Sequence, residues 1–221
     1  MSSYVYMKVL ESQPERYDRG IALLSLGAVG RCRRRLVDDN LQAGGRVLEI
    51  GCGTGALTLL AAGKGAEVVG FDVSGGMLSV ARRKIDAAGC SDWVRLEERG
   101  VSGMDTYDGE SFDLVMSSLV FSELSTDERV YALRHSHRVL RPGGRLAVVD
   151  EVTPDGPGRR FLHGALRIPL LLVTFLLTQT TTRPVDGLPV LVAAAGFRVE
   201  KEERSALDSV LYLVAVKGPG A

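Results

Sequence analysis

Short apolar runs ending at glycine recur along the chain, and each predicts a buried strand. Arg46–Ile50 is the first, stopped by Gly51, Gly53 and Gly55. Ala66–Asp72, Trp93–Glu97, Phe112–Met116 and Arg145–Val149 predict four more. Between them the apolar spacing turns helical. Leu57–Gly63 is one helix, and a second runs from Ser74, a plausible N-cap, to about Gly89 with Met77, Leu78, Ala81 and Ile85 on one face. A third covers Thr126–Leu140 and is stopped by Arg141, Pro142, Gly143 and Gly144. An apolar helical stretch follows to about Thr178, then a helix over Leu188–Ala195 closed by Gly196. Phe197–Arg204 and Ser209–Val216 predict two closing strands.

Strand alternating with helix predicts an α/β fold with a parallel sheet and helices on both faces. The link Ser205–Asp208 is too short for a parallel crossover, so the last strand is expected to run antiparallel. The first 45 residues read as one or two helices, clearest at Tyr17–Arg19 and Ile21–Leu26.

Composition narrows the function classes. A chain of 221 residues suits one core. Lys+Arg and Asp+Glu are both 27, a net charge of zero that argues against nucleic acid as a partner. Cys32, Cys52 and Cys90 are scattered, which excludes a disulfide framework or a cysteine-rich zinc site and fits a reducing, cytoplasmic setting. His135, His137 and His163 leave little for a metal site, and none is expected. The start of the chain has no signal-peptide core. The most apolar run, Ile168–Leu177, has about half the length a membrane span needs.

The loop Glu49–Gly55 joins the first strand to the first helix, where bare backbone lets a ligand approach. Asp72 ends the second strand, where an acid accepts hydrogen bonds from ribose hydroxyls. Together they indicate a nucleoside-containing cofactor, with a nicotinamide dehydrogenase as one reading. Cys52 invites a nucleophile reading, but no histidine lies nearby in sequence to activate it.

Three further segments complete a set: Asp72–Leu78, Ser111–Val115, and Arg138–Leu146 before strand five. In order and spacing the set resembles the class I S-adenosylmethionine (SAM)-dependent methyltransferases over residues 40–155. The resemblance implies a Rossmann-like seven-stranded sheet, mostly parallel with an antiparallel last strand, and SAM as cofactor with S-adenosylhomocysteine as product. It implies that Gly51, Cys52, Gly53 and Gly55 underlie the methionine part, and that Glu49 faces its ammonium group. Asp72 would hold the ribose, and Val73 and Met77 the adenine. Gly100 and Val101 follow strand three where the family usually has an acid; only Glu98 or Asp105 could supply one. Ser117 would lie near the transferred methyl.

Tyr17, Asp18, Arg19 and Gly20, with Leu23–Gly27, resemble the start of the ubiquinone/menaquinone C-methyltransferase group. That likeness implies an N-terminal helical cap (1–45) over the cofactor, with Tyr17 lining its pocket; a packed aromatic is the alternative. Arg31, Arg33, Arg34 and Arg35 read as a solvated basic helix end. Val5–Ser12, Pro14–Asp18 and Thr174–Thr182 resemble the corrinoid protein-associated methyltransferases, which implies a corrinoid protein partner without naming the acceptor.

Residues 46–221 would then form the SAM-binding domain, with an apolar acceptor-lid insert at about 155–190. That insert is a core helix, a pocket wall or an interface; its thin, lysine-free polar face argues against membrane contact. Phe121, His163 and Phe175 are the candidate acceptor-lining residues. His163 is the candidate general base if the acceptor has a hydroxyl proton to lose. His135 and His137 point to different helix faces and are not candidates. The expected activity is methyl transfer, to a corrinoid or corrinoid protein or to an apolar, quinone-like small molecule, by a monomer or homodimer; a non-catalytic SAM-binding protein is the other reading.

Overall fold

The branched and long apolar side chains of Arg46–Ile50 bury four of five positions, so this strand, β1, can only be central. The computed structural model describes residues 27–152, 185–205 and 209–218, with Asp18, Ile21, Ala22 and Ser25 before them. Within these lie α1 (Ala28–Asn40), β1, α2 (Ala56–Ala62), β2 (Glu67–Asp72), α3 (Gly75–Ala87), β3 (Val94–Glu98) and β4 (Phe112–Ser118). Then follow α4 (Thr126–Val139), β5 (Leu140–Glu151), α5 (Leu188–Ala194), β6 (Phe197–Ser205) and β7 (Val210–Lys217).

The sheet has seven strands in the order β3-β2-β1-β4-β5-β7-β6. Strands β1 to β5 pair in parallel, and β7 lies antiparallel to both β5 and β6. The expected Rossmann-like architecture and reversed last strand are what the chain adopts. β7 is buried along all eight residues, whereas β6 alternates as an edge strand does. Chain direction reverses its lateral progress between β1 and β4, and the crevice at such a switch point is where α/β sheets bind ligands.

Alternate residues of each strand feed two cores. Leu48, Ile50, Val115, Val148 and Leu213 pack with Leu133 of α4 and Val192 of α5. Val47, Val68, Met116, Val149 and Val214 pack with Leu36 of α1 and Leu57 of α2. Helices therefore cover both faces. Ser74 caps α3 by accepting from Met77 N–H at 3.3 Å, and Ser125 and Glu128 form a reciprocal capping box on α4.

Two expectations change. Strand five begins at Leu140, not Arg145: its pairing with β4 passes from Phe112↔Leu140 to Leu114↔Arg145, so Pro142, Gly143 and Gly144 bulge within a strand. Gly143 takes φ 77, and Lys217 Nζ holds the Leu140 carbonyl at 2.7 Å. The arginine run is the middle of α1, not a helix end. Arg35 there pairs with Glu203 of β6 and lies 4.7 Å from the Tyr212 ring centre. The run Ile168–Leu177, the lid insert apart from its last residues, and the first 17 residues of the expected cap lie outside the described residues. Among the described residues no helix is long and apolar enough to cross a membrane.

Leu133 is completely buried between α4 and the sheet. Leu133→Ala should lower the unfolding free energy by about 2–5 kcal/mol, read from urea denaturation.

Candidate functional site

A cleft opens at the switch point, over the C-terminal ends of β1, β2 and β4. It is lined by Asp18, Arg33, Glu49, the loop from Gly51 to Leu57 except Gly55, Asp72, Ser74, Met77, Ser118, Leu119, Val120 and Glu123. Backbone conformation shapes its floor. Gly51 takes φ 67, and a Cβ there would stand 2.3 Å from Val120 Cγ2, so only glycine lets the loop lie against the β4 turn. Gly55 is not in the lining: it begins α2 at φ 77 and lets α3 approach, Ala81 Cβ being 3.0 Å from where its own Cβ would be.

Asp72 joins the two walls. One carboxylate oxygen accepts from Gly53 N–H at 2.8 Å, the other from Ser74 N–H at 2.9 Å. Burial raises its pKa, and these two amides oppose the rise. Glu49 is buried at the end of β1 and accepts the Thr58 hydroxyl at 2.5 Å. Burial pushes its pKa up to about 8, with Thr58 and Arg33 pulling it down and Asp72 pushing it further up. The Cys52 thiol is buried beside these carboxylates, and burial raises its pKa far out of the thiolate range. It is no nucleophile.

The structure brings Glu49, Gly51, Cys52, Gly53, Asp72 and Met77 together, as expected. Val73, Gly100 and Val101 form an adjoining ledge outside the lining. Val73 Cγ1 lies 3.5 Å from where a Gly100 Cβ would be, and Val101 is buried. Glu98 turns its carboxylate to the start of α3, 2.9 Å from a Cβ placed on Gly75. Two expectations are corrected. Ser117 is fully buried with its hydroxyl donating to the Ile50 carbonyl; strand alternation gives the cleft position to Ser118. Phe121 is fully buried in the core, its N–H held by Asp150 at 2.8 Å, and does not line the cleft. Tyr17, His163 and Phe175 lie outside the described residues. His135 stacks on Tyr131 and His137 packs against Phe197, both on α4 and not among the cleft-lining residues.

Three charged lining residues were not predicted as site residues from the sequence. Arg33 donates to Ser118 Oγ at 2.8 Å and is the one basic lining residue among the described residues. Asp18 accepts from Thr54 Oγ1 at 2.8 Å and pairs with Lys84, seating the N-terminal segment on the glycine loop. The third is Glu123, on the turn after β4. Asp18 stood inside the Tyr17–Gly20 motif; nothing local marked the other two.

Four carboxylates and one guanidinium therefore face the cleft. Such a site attracts a cation and repels a diphosphate. The Gly53 amide, which a dinucleotide loop would offer to phosphate, is already taken by Asp72. The cleft thus disfavours a nicotinamide dinucleotide and suits a cationic nucleoside.

Glu49 carries a pH signature. The unfolded side chain titrates near 4.5 and the folded one near 8. Between those values the folded protein holds a proton that the unfolded chain has lost. Its contribution is complete below about 4.5 and falls away as pH rises through 8. In urea melts of the unliganded protein at pH 5 and 8, wild type should lose more stability on the rise than Glu49→Gln. Gly51→Ala should cost about 1–2 kcal/mol for its left-handed backbone, with the Val120 clash added. Val120→Ala in the same chain should recover part of the loss.

Comparison with known proteins agrees with this geometry. Residues 47–144 match the family model described as a methyltransferase domain. A demethylmenaquinone methyltransferase of Thermus thermophilus is 37% identical over 204 residues, covering 85% of this chain and 90% of that relative. A ubiquinone/menaquinone biosynthesis C-methyltransferase of Hahella chejuensis is 34% identical over 154 residues, covering 68% and 61%. The solved structure of a SAM-dependent methyltransferase from Aquifex aeolicus superposes with TM-score 0.67 at 19% identity, over 94% of this chain and 98% of that one, and shares the fold. With a SAM-type cleft at its switch point and these relatives along most of its length, the chain belongs to the class I SAM-dependent methyltransferases.

Proposed function

We propose that this methyltransferase transfers the SAM methyl to a ring carbon of an apolar, quinol-like acceptor. The observation that carries the acceptor is the 37% identity, across 85% of the chain, to a protein named demethylmenaquinone methyltransferase. The residues present fit SAM: a buried carboxylate with no cation among its hydrogen-bond partners in the described residues, an acid at the ribose position, and a floor that only glycine permits. When bound, SAM supplies an electrophilic methyl on a cationic sulfur.

The chain's own groups then divide the work. Glu49, on giving up its proton, receives the ammonium group, and Arg33 nearby favours that ionised form. Asp72, held by Gly53 and Ser74, presents its remaining lone pairs to the ribose hydroxyls. Met77 and the ledge of Val73, Gly100 and Val101 take the adenine face, with Glu98 the acid within reach of that edge. Ser118, not Ser117, borders the reacting end. Asp18 anchors the N-terminal segment as a cap, and the insert at about 155–190 supplies the acceptor lid. Precise placement and exclusion of water are the protein's main contributions to such a displacement. The corrinoid expectation rested on Val5–Asp18 and Thr174–Thr182, which apart from Asp18 lie outside the described residues.

Two measurements test this reading. By calorimetry, Asp72→Ala should weaken SAM binding by about 1–3 kcal/mol, the cost of a lost charge-assisted hydrogen bond. Unchanged affinity overturns the ribose assignment. Anaerobic incubation with SAM and either a 2-prenyl-1,4-naphthoquinol or a reduced corrinoid separates the acceptors. Methylated naphthoquinol is the expected product; methylcobalt absorption alone would replace the quinol with a corrinoid.

A further inference from the structure

The geometry points to Glu123 as the general base that takes the hydroxyl proton of the acceptor, an inference that rests on the quinol reading above. Glu123 lines the cleft on the β4 side, across β1 from the ribose acid Asp72. It follows Val120, whose side chain packs on Gly51 at the floor of the cofactor loop. It therefore stands on the acceptor side of the position where the methyl is presented.

Its side chain is exposed, lines the cleft, and has no hydrogen-bond or ion-pair partner among the described residues. The other carboxylates there are engaged. Glu49 accepts from Thr58, Asp72 from Gly53 and Ser74, and Asp18 from Thr54 and Lys84. Asp150, behind the cleft, accepts from the Phe121 and Glu151 amides. Partial desolvation against the cleft wall, with Asp150 and Asp72 nearby, raises the Glu123 pKa to about 7, where a carboxylate both accepts and returns a proton. Arg129, the nearby cation of α4, is occupied with the Phe121 carbonyl at 2.7 Å.

The step balances as follows. A quinol hydroxyl proton passes to a Glu123 carboxylate oxygen, and the O–H pair becomes a ring carbonyl. The π pair at the ortho carbon forms the new C–CH₃ bond, while the S–CH₃ pair stays on sulfur. The ortho ring proton then leaves to water and the oxygen regains its proton from Glu123. The ring is restored, and one proton is released per methyl transferred.

The test uses the full chain, with SAM and 2-prenyl-1,4-naphthoquinol under anaerobic conditions. Glu123→Gln, isosteric at a water-accessible position, should lower kcat about 10²–10⁴-fold. Its affinity for S-adenosylhomocysteine, which lacks the cationic sulfur, should stay within about twofold of wild type, since Glu49 and Asp72 are untouched. The acid limb of the kcat–pH profile near pH 7 should vanish in Glu123→Gln and persist, displaced, in Glu123→Asp. A binding readout is independent of turnover. In the S-adenosylhomocysteine complex, 1-naphthol should bind about tenfold more tightly at pH 8 than at pH 6 in wild type, and equally in Glu123→Gln. A variant with wild-type kcat and an unchanged profile overturns Glu123 as the base while leaving the quinol reading intact. Wild-type protein that methylates no quinol overturns both.

Discussion

The site depends on how one carboxylate is shared. Asp72 ends β2 and accepts one amide from the glycine loop and one from the start of α3. Two chain segments that would otherwise turn independently are fixed to the same group. Backbone amides of a loop are the natural binding site for phosphate. Here the protein's own carboxylate takes the Gly53 amide, and the cleft becomes suited to a nucleoside without phosphate. The same contact holds Asp72 in place to accept further hydrogen bonds.

Charge extends that selection. Glu49 and Asp72 face one cleft; desolvation raises the proton affinity of both, and the Asp72 charge raises that of Glu49 further. A cationic ligand relieves both effects, so recognition and protonation are coupled. Burial, with the charges of Glu49 and Asp72 added, keeps Cys52 a thiol and removes it from the chemistry. Only Arg33 among the described lining residues brings positive charge, and it reaches the cleft from α1, outside the nucleotide-binding loop.

The sheet sets the two sides of the cleft. β1 lies between β2, which ends in Asp72, and β4, whose following turn carries Val120 and Glu123. Close approach of Val120 to Gly51 makes these two halves one surface. Hydrophobic layers on both faces, with Leu133 and Leu36 at their centres, hold the strand ends in register.

Much of this was readable in the amino-acid order. Apolar runs ending at glycine located the strands because buried parallel strands need continuous apolar side chains. Ser74 announced a cap, and the 205–208 link announced a reversal, because both follow from local backbone geometry. Gly51, Gly53 and Asp72 were legible because each stands at or just past the end of an apolar strand run, where the chain must turn. Tertiary structure alone decided the rest. The choice of Ser118 over Ser117 depends on which face β4 turns to the cleft, a phase set by its pairing with β1 and β5. Phe121 looked like a pocket residue and became core because Asp150, 29 positions away, fixes its amide. Arg33 and Glu123 resembled ordinary surface charges until the sheet order brought α1 and the β4 turn to one crevice. Such meetings join residues far apart in the chain, and no local periodicity encodes them.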